Sequence, residues 1–390
     1  MDRFKAFLLA VVLSIISIAG IHYYGIRHIH FNPHKMGVWT DDAKFLSREG
    51  MIQNQDEHTM FVFGSSEFET AADSPYHICN QFQEDEFTPM LIGRGHCQCL
   101  QHAVTLASVG QELTNKKVVL ILSPQWFRRK SVVKQSYALR FSESHYIGML
   151  QNEQIPDEVK AKLIKRTKKL LAGVDDPMLE RVELYNRMFF TGENTTKDQL
   201  LYKVYRTFNE EKDRLRVVEK AKYSGIEQKA QGTYSAGEYD WEEFLEQAEQ
   251  TARGNSDNEF YMNQDFYEEN QDLIQAKKGK DKKRKFVENS KEYGDLELFL
   301  DICKSMDIEV LVIVTPFNGY WCDWMAYSQD VRTKIYQKMC RTAEENGAQV
   351  VDLSTEEYNP YFFEDAAHFS GKGWVKINEA IYEFYKEDNQ

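Results

Sequence analysis

Two apolar runs constrain the fold of this chain more than any other feature of its sequence. They are KVVLIL at residues 117–122 and EVLVIV at residues 309–314, each apolar after its first residue. A strand with one face in water alternates apolar and polar residues, whereas a strand buried on both faces is apolar throughout. Both segments therefore predict central strands of a parallel sheet that helices cover on its two faces.

Shorter apolar runs alternate with helical periodicities around those two strands. Further strands are predicted at residues 59–63, 88–92 and 349–353, and helices at residues 98–113, 296–306, 331–345 and 373–385. Such an alternation is typical of a doubly wound α/β domain with a parallel sheet.

The predicted α/β core is formed by two separate parts of the chain, residues 28–128 and 291–390. Residues 129–290 between them are charged, follow a helical period and contain no convincing strand. We interpret this middle segment as a helical insertion on the α/β core.

The chain begins with a basic segment and continues with a hydrophobic one. Arg3 and Lys5 precede residues 6–21, which hold no charged side chain. A membrane span needs about 20 apolar residues, and the aromatic residues on either side extend this run into the interface. Residues 1–27 therefore predict a single-pass transmembrane anchor, with a cleaved signal peptide as the alternative. In both cases the basic end marks the cytoplasm, and the remaining chain lies outside the cell.

Composition argues against some classes of function. The formal net charge of −13 at pH 7 disfavours nucleic-acid binding through the surface as a whole. The six cysteines lack the spacing of a zinc site, so no metal is predicted. A local basic triplet, residues 128–130, is either a solvated helix face or a surface that guides an anionic polymer or an anionic membrane leaflet.

Unusual tripeptides follow the first three predicted strands, and ligands of open parallel sheets bind at these carboxyl ends. A glycine allows the sharp turn, and the residue after it exposes its hydroxyl and its N–H. By itself a serine in this place is more typical of a helix N-cap, with Glu67 favouring the helix dipole. The three segments are Gly64-Ser65-Ser66, Gly93-Arg94-Gly95 and Ser123-Pro124-Gln125.

Near the C-terminus, Asp365 and His368 are spaced three residues apart before the last predicted helix. A serine becomes a good nucleophile when an imidazole takes its proton, and a carboxylate fixes the tautomer of that imidazole. Alone, the spacing is more typical of a surface pair. Together with a serine after the first core strand, it follows the order used by SGNH-type hydrolases.

Five segments extend this likeness, and with them the chain resembles the DltD family of exported SGNH-like proteins. The resemblance implies an SGNH/flavodoxin-like fold with the N-terminal transmembrane helix and the helical insertion described above. The segments are FGSSE at 63–67, LIGRGHCQCLQHA at 91–103, LSPQWF at 122–127, TPFNGYWCDW at 315–324 and EYNPYFFEDAAHFSGKGWVKINEAI at 357–381.

The resemblance also implies roles for individual residues. Ser66 would be the nucleophile, His368 the general base and Asp365 the group that orients it, while Ser65 would help to shape the turn. Gly95 and Gln125 are the expected oxyanion-hole donors. The chain departs from the SGNH pattern here, because its third block has Ser-Pro-Gln where Gly-x-Asn is usual, so the third donor stays open.

The family implies a serine acyltransferase that moves D-alanyl groups to hydroxyls of lipoteichoic acid through an acyl-enzyme. Its expected partners are a membrane-bound O-acyltransferase, a D-alanyl carrier protein, the polymer and the membrane, and no cofactor is required. Two alternatives stay open. One is an SGNH esterase or O-acetyltransferase on another surface glycan, and the other is a non-catalytic docking protein for the carrier and the acyltransferase.

Overall fold

A computed structural model describes residues 2–82, 87–228, 234, 237–280 and 286–387. Its centre is one parallel five-stranded sheet in the order β2-β1-β3-β4-β5. This is the flavodoxin-like order, and the predicted α/β class is confirmed. The strands are β1 Thr59–Phe63, β2 Thr88–Ile92, β3 Lys117–Leu122, β4 Glu309–Val314 and β5 Gln349–Asp352.

Eighteen α-helices are present in the described residues, and α7 to α14 belong to the predicted insertion. Within residues 129–280, as far as they are described, no strand is formed. The helices are α1 Asp2–His28, α2 Pro33–Val38, α3 Asp42–Phe45, α4 Arg48–Ile52, α5 Ile78–Gln81, α6 Cys99–Val109, α7 Lys134–Leu139, α8 Glu143–Gln151, α9 Asp157–Leu171, α10 Asp176–Phe189, α11 Thr196–Tyr223, α12 Trp241–Gly254, α13 Gln264–Glu269, α14 Gln271–Lys277, α15 Glu292–Ser305, α16 Gly319–Trp324, α17 Gln329–Glu345 and α18 Gly371–Lys386.

Alternate residues of each strand enter two different hydrophobic clusters, one on each face of the sheet. In β1, Phe61 and Phe63 point into the larger cluster, which contains residues of α6, α15 and α17. Met60 and Val62 point into the smaller cluster, which contains residues of α18. Helices therefore cover both faces, which explains why the strands are apolar without alternation.

The insertion shares the larger cluster with the sheet. Leu163 of α9 and Val182 of α10 are buried in the same group of side chains as Leu120 of β3. The insertion therefore packs against the core through these helices, while its residues Phe260, Met262 and Ile274 belong to a small separate cluster. Its limits at 129 and 290 stay a prediction.

The N-terminal helix α1 is long and apolar enough to cross a membrane, with a mean hydropathy of 2.4 in its best window and none of that window buried. Its large apolar side chains are exposed, as for Phe7 at 66%. Exposed apolar area of this extent fits a single-pass membrane anchor.

Candidate active site

Ser66 lies just after the end of β1, as the first residue of a 3₁₀ turn. The Gly64 N–H donates to the Ile92 carbonyl at 3.1 Å, which prolongs the pairing of β1 with β2. The chain then turns, and the Glu67 carboxylate folds back to accept the Ser65 N–H at 2.7 Å. This local turn leaves Ser66 half-buried at the carboxyl edge of the sheet.

The loop after β2 packs directly against the serine turn. The buried Ser65 hydroxyl donates to the Arg94 carbonyl at 3.2 Å. Gly93 has a φ of +130°, which side chains rarely tolerate. A Cβ atom at this residue would lie 2.0 Å from the Gly64 carbonyl oxygen. Only glycine therefore permits the two loops to approach so closely.

A hydrogen-bonded chain joins Ser66 to two residues of the loop before α18. The Ser66 Oγ lies 2.7 Å from His368 Nε2, although the two residues are 302 positions apart. His368 Nδ1 lies 2.7 Å from Asp365 Oδ2. Asp365 Oδ1 accepts the backbone N–H groups of Ala367 and His368, both at 2.8 Å. Because a carboxylate only accepts, Nδ1 carries the proton and Nε2 of the neutral ring faces the hydroxyl.

The charged groups around Ser66, His368 and Asp365 shift the pKa values of the histidine and the aspartate. Burial lowers the pKa of His368, but the hydrogen bond and charge of Asp365, with the Glu67 and Glu69 carboxylates, raise it above its ordinary value overall. Burial raises the pKa of Asp365, but the His368 ring and backbone N–H groups lower it overall. The arrangement can therefore accept a proton from Ser66 and stabilise the imidazolium that results.

Glu67 adds a second carboxylate to the site, next to Ser66. It is 5% exposed, and burial raises its pKa to about 6, although backbone N–H groups and the His368 charge oppose this. No lysine or arginine of the described residues forms an ion pair with it. Sequence reasoning considered Glu67 only as a helix-dipole residue and missed this contact with the site.

Gly95, in the loop after β2, lies next to Ser66. A Cβ atom on Gly95 would lie 3.6 Å from the Ser66 Cβ. Its N–H already donates to Glu69 Oε2 at 3.1 Å, and Glu69 also accepts from Arg94 Nε at 2.6 Å. The expected oxyanion donor is thus near the hydroxyl, but its N–H is engaged by a carboxylate that sequence reasoning missed.

Gln125 reaches the same edge from the loop after β3. Its backbone N–H donates to Ser123 Oγ at 3.3 Å, while its side-chain amide makes no hydrogen bond to the described residues. The Ser66 N–H likewise has no hydrogen-bond partner among the residues that the structure describes. Both donors are therefore available to a ligand oxygen, with no rearrangement of existing bonds.

Comparison with known proteins places the chain in a family. The family model described as DltD protein matches residues 37–386. The chain belongs to the DltD family. It is 34% identical to Protein DltD of Bacillus subtilis strain 168 over 333 residues, which are 83% of this chain and 82% of that protein. It is 26% identical to Protein DltD of Staphylococcus aureus strain NCTC 8325 / PS 47 over 336 residues, 84% of this chain and 81% of that protein. The resemblance predicted from the five segments is confirmed.

In this DltD-family chain the serine opens into a cavity of about 320 Å³ that Gly95, Gln125 and His368 also line. The Arg128 side chain lines the cavity too. Its Nε is buried without a hydrogen-bond partner among the described residues, and burial lowers the pKa of its guanidinium. No carboxylate of the described residues forms an ion pair with it, although Glu67 also lines the cavity.

The described residues offer no alternative centre of metal chemistry. In residues 2–82, 87–228, 234, 237–280 and 286–387, no group of three or more His, Cys, Asp or Glu side chains is placed to hold a metal ion.

Proposed function

We propose that this protein transfers D-alanyl groups to hydroxyls of lipoteichoic acid through an ester formed on Ser66. Membership of the DltD family supports a role in the D-alanylation of teichoic acids. The observation that carries the finer proposal is the continuous chain from Ser66 Oγ through His368 to Asp365, with 2.7 Å at each step between side chains.

In the first half-reaction, Ser66 Oγ attacks the carbonyl carbon of a D-alanyl ester or thioester while His368 Nε2 takes its proton. The bond from carbon to the leaving group then breaks, and His368 returns the proton to that group. In the second half-reaction, His368 takes a proton from a polymer hydroxyl, which attacks the ester. Ser66 leaves and recovers the proton from His368.

Negative charge develops on the carbonyl oxygen in both tetrahedral intermediates. The Ser66 N–H and the Gln125 amide are the donors that stand free to stabilise it. Gly95 could join them once its N–H is released by Glu69. Each oxyanion donor typically contributes a factor of about 10²–10³ in kcat. Release of the Gly95 N–H from Glu69 would therefore raise kcat markedly.

Two charged side chains match the two substrates. A D-alanyl group carries an ammonium, and Glu67 offers a buried carboxylate beside Ser66 that has no cationic partner among lysines and arginines of the described residues. The polymer carries phosphates, and Arg128 in the same cavity offers a guanidinium that forms no ion pair with a carboxylate of the described residues. A small cationic acyl group and a polyanionic acceptor fit this charge arrangement.

The membrane topology agrees with this reaction. Because Arg3 and Lys5 precede the hydrophobic segment, α1 would cross the membrane with its N-terminus in the cytoplasm and leave the catalytic residues outside. Lipoteichoic acid lies on that side. A membrane-bound O-acyltransferase that is charged by a D-alanyl carrier protein would then deliver the acyl group.

The experiment compares Ser66→Ala, His368→Ala and Ser354→Ala, the last being a control serine at the start of the 3₁₀ turn after β5. Cells carrying the first two variants should lose D-alanyl esters from lipoteichoic acid, and the control should keep them. Labelling of the purified protein with a fluorophosphonate should modify Ser66. Normal ester content in both active-site variants would defeat the proposal.

One observation favours a second candidate, a non-catalytic docking protein for the carrier and the acyltransferase. The Gly95 N–H is bonded to Glu69, and an oxyanion hole that lacks this donor would work slowly. If the fluorophosphonate leaves Ser66 unmodified while Ser66→Ala keeps its D-alanyl esters, the docking function is preferred.

A further inference from the structure

Helix α11 exposes a stripe of apolar side chains along its first half. Leu200, Val204 and Phe208 are 64%, 57% and 65% exposed. They are spaced four residues apart, and residues with this spacing share one face of an α-helix. Large exposed apolar side chains in a regular stripe indicate a surface that something other than water covers.

The stripe is continuous with the membrane-spanning helix. Val204 and Phe208 line a groove of about 560 Å³ together with Ile18 and Ile21 of α1. These isoleucines are the last part of the apolar segment that precedes His22. The surface that contacts lipid on α1 therefore runs without interruption onto α11.

Hydrogen bonds between α1 and α11 show that the two helices point in the same direction. His22 Nδ1 lies 2.6 Å from Glu211 Oε1, and the Tyr24 hydroxyl donates to Glu219 at 3.0 Å. Later residues of α1 thus pair with later residues of α11, so both helices run away from the N-terminal end of the span. Residues of α11 that precede Glu211 consequently lie on the membrane side of this contact.

Two lysines complete the surface. Lys197 and Lys203 are exposed on the same half of α11, and neither forms an ion pair with a carboxylate of the described residues. Lysines beside an apolar helix face extend their ammonium groups to lipid phosphates while the stems cover apolar area. This pattern fits a lipid interface better than it fits an apolar protein surface.

We infer that residues 196–211 of α11 form a second membrane contact, with their apolar face in the interface of the bilayer that α1 crosses. The catalytic domain is then held at two places, and its orientation relative to the lipid surface is restricted. This inference does not depend on the proposed acyl transfer.

The test uses the full chain in nanodiscs of phosphatidylcholine and phosphatidylglycerol. Val204→Cys and Phe208→Cys are labelled with the environment-sensitive dye NBD. Leu139→Cys is the control, because Leu139 at the end of α7 is 74% exposed and far along the chain from α11. Wild-type protein treated in the same way gives the background from the native cysteines.

Lipids with a doxyl group near the headgroup should quench the probes at 204 and 208 at least about twofold more than the probe at 139. Iodide in the water should instead quench the probe at 139 more than the probes at 204 and 208. Equal quenching at the three sites would overturn the inference. Protection from both quenchers would also overturn it, since a second copy of the chain would then cover the stripe.

Discussion

The substitution Asp365→Asn tests the arrangement of the catalytic chain most directly. In the native protein Asp365 Oδ1 accepts two backbone N–H groups, from Ala367 and His368. An asparagine in the same place keeps its carbonyl oxygen on those donors and turns its NH₂ group toward His368 Nδ1. Because an N–H cannot bond to an N–H, the neutral ring must carry its proton on Nε2, where it cannot accept the Ser66 proton.

The size of the effect follows from the bonds that change. The charge-assisted bond between Asp365 and His368 contributes about 1.5–3 kcal/mol, and the inverted tautomer costs about the same again. The sum of about 3–6 kcal/mol corresponds to a rate loss of roughly 10²–10⁴. A loss of about 10⁴ is also known for the same substitution in Ser-His-Asp triads of other proteins.

The assay is the rate of fluorophosphonate labelling of Ser66 as a function of pH. Because the pKa of His368 is raised and the base acts when neutral, the native rate should rise with pH through a midpoint above the ordinary histidine value. In Asp365→Asn the charge is lost, so the midpoint should move to lower pH and the plateau should fall. The control Asp352→Asn, at a carboxylate that accepts the Ser354 N–H at 2.8 Å, should change neither. Equal plateaus for Asp365→Asn and the native protein would refute the reasoning.

Four further substitutions have defined outcomes. Glu67→Gln should lower kcat/KM for a D-alanyl ester by about 10-fold or more, with little change for an acetyl ester, because only the former carries an ammonium. Gln125→Ala should lower kcat by about 10² if its amide binds the oxyanion, and unchanged kcat would remove it from that role. Arg128→Gln should raise KM for a phosphate-bearing acceptor and leave kcat and the labelling rate of Ser66 nearly unchanged. Gly93→Ala should lower the free energy of unfolding by about 3–5 kcal/mol in urea titrations, because its Cβ would meet the Gly64 carbonyl oxygen at 2.0 Å. A loss under about 1 kcal/mol would contradict the required close approach of the two loops.

Strands β1 to β4 were predictable from the sequence because burial on both faces removes polar residues from most of their length. Four strands have the predicted limits, and β5 ends one residue earlier than predicted, at Asp352. Helix limits were less predictable. The helix predicted at 98–113 spans Cys99–Val109, with Gly110 as its C-cap residue. The helix predicted at 296–306 begins earlier, at Glu292, because this carboxylate is buried in contact with the Ser131 hydroxyl and the Cys99 N–H, which apolar periodicity does not reveal.

The residues that form the hydrogen-bonded chain could be proposed from sequence because each stands where a strand ends or a helix begins. Contacts between loops could not be proposed in this way, and Glu69 is the clearest case. The parallel register pairs Phe63 with Ile92, so the loops after β1 and β2 emerge side by side. One signal was present in the sequence: Glu69 and Arg94 are opposite charges in the segments that follow two adjacent strands. What the sequence does not contain is the backbone geometry that lets Glu69 also reach the Gly95 N–H. In the proposed mechanism, that contact decides whether the site in its resting state has three free oxyanion donors or two, and the rate depends on their number.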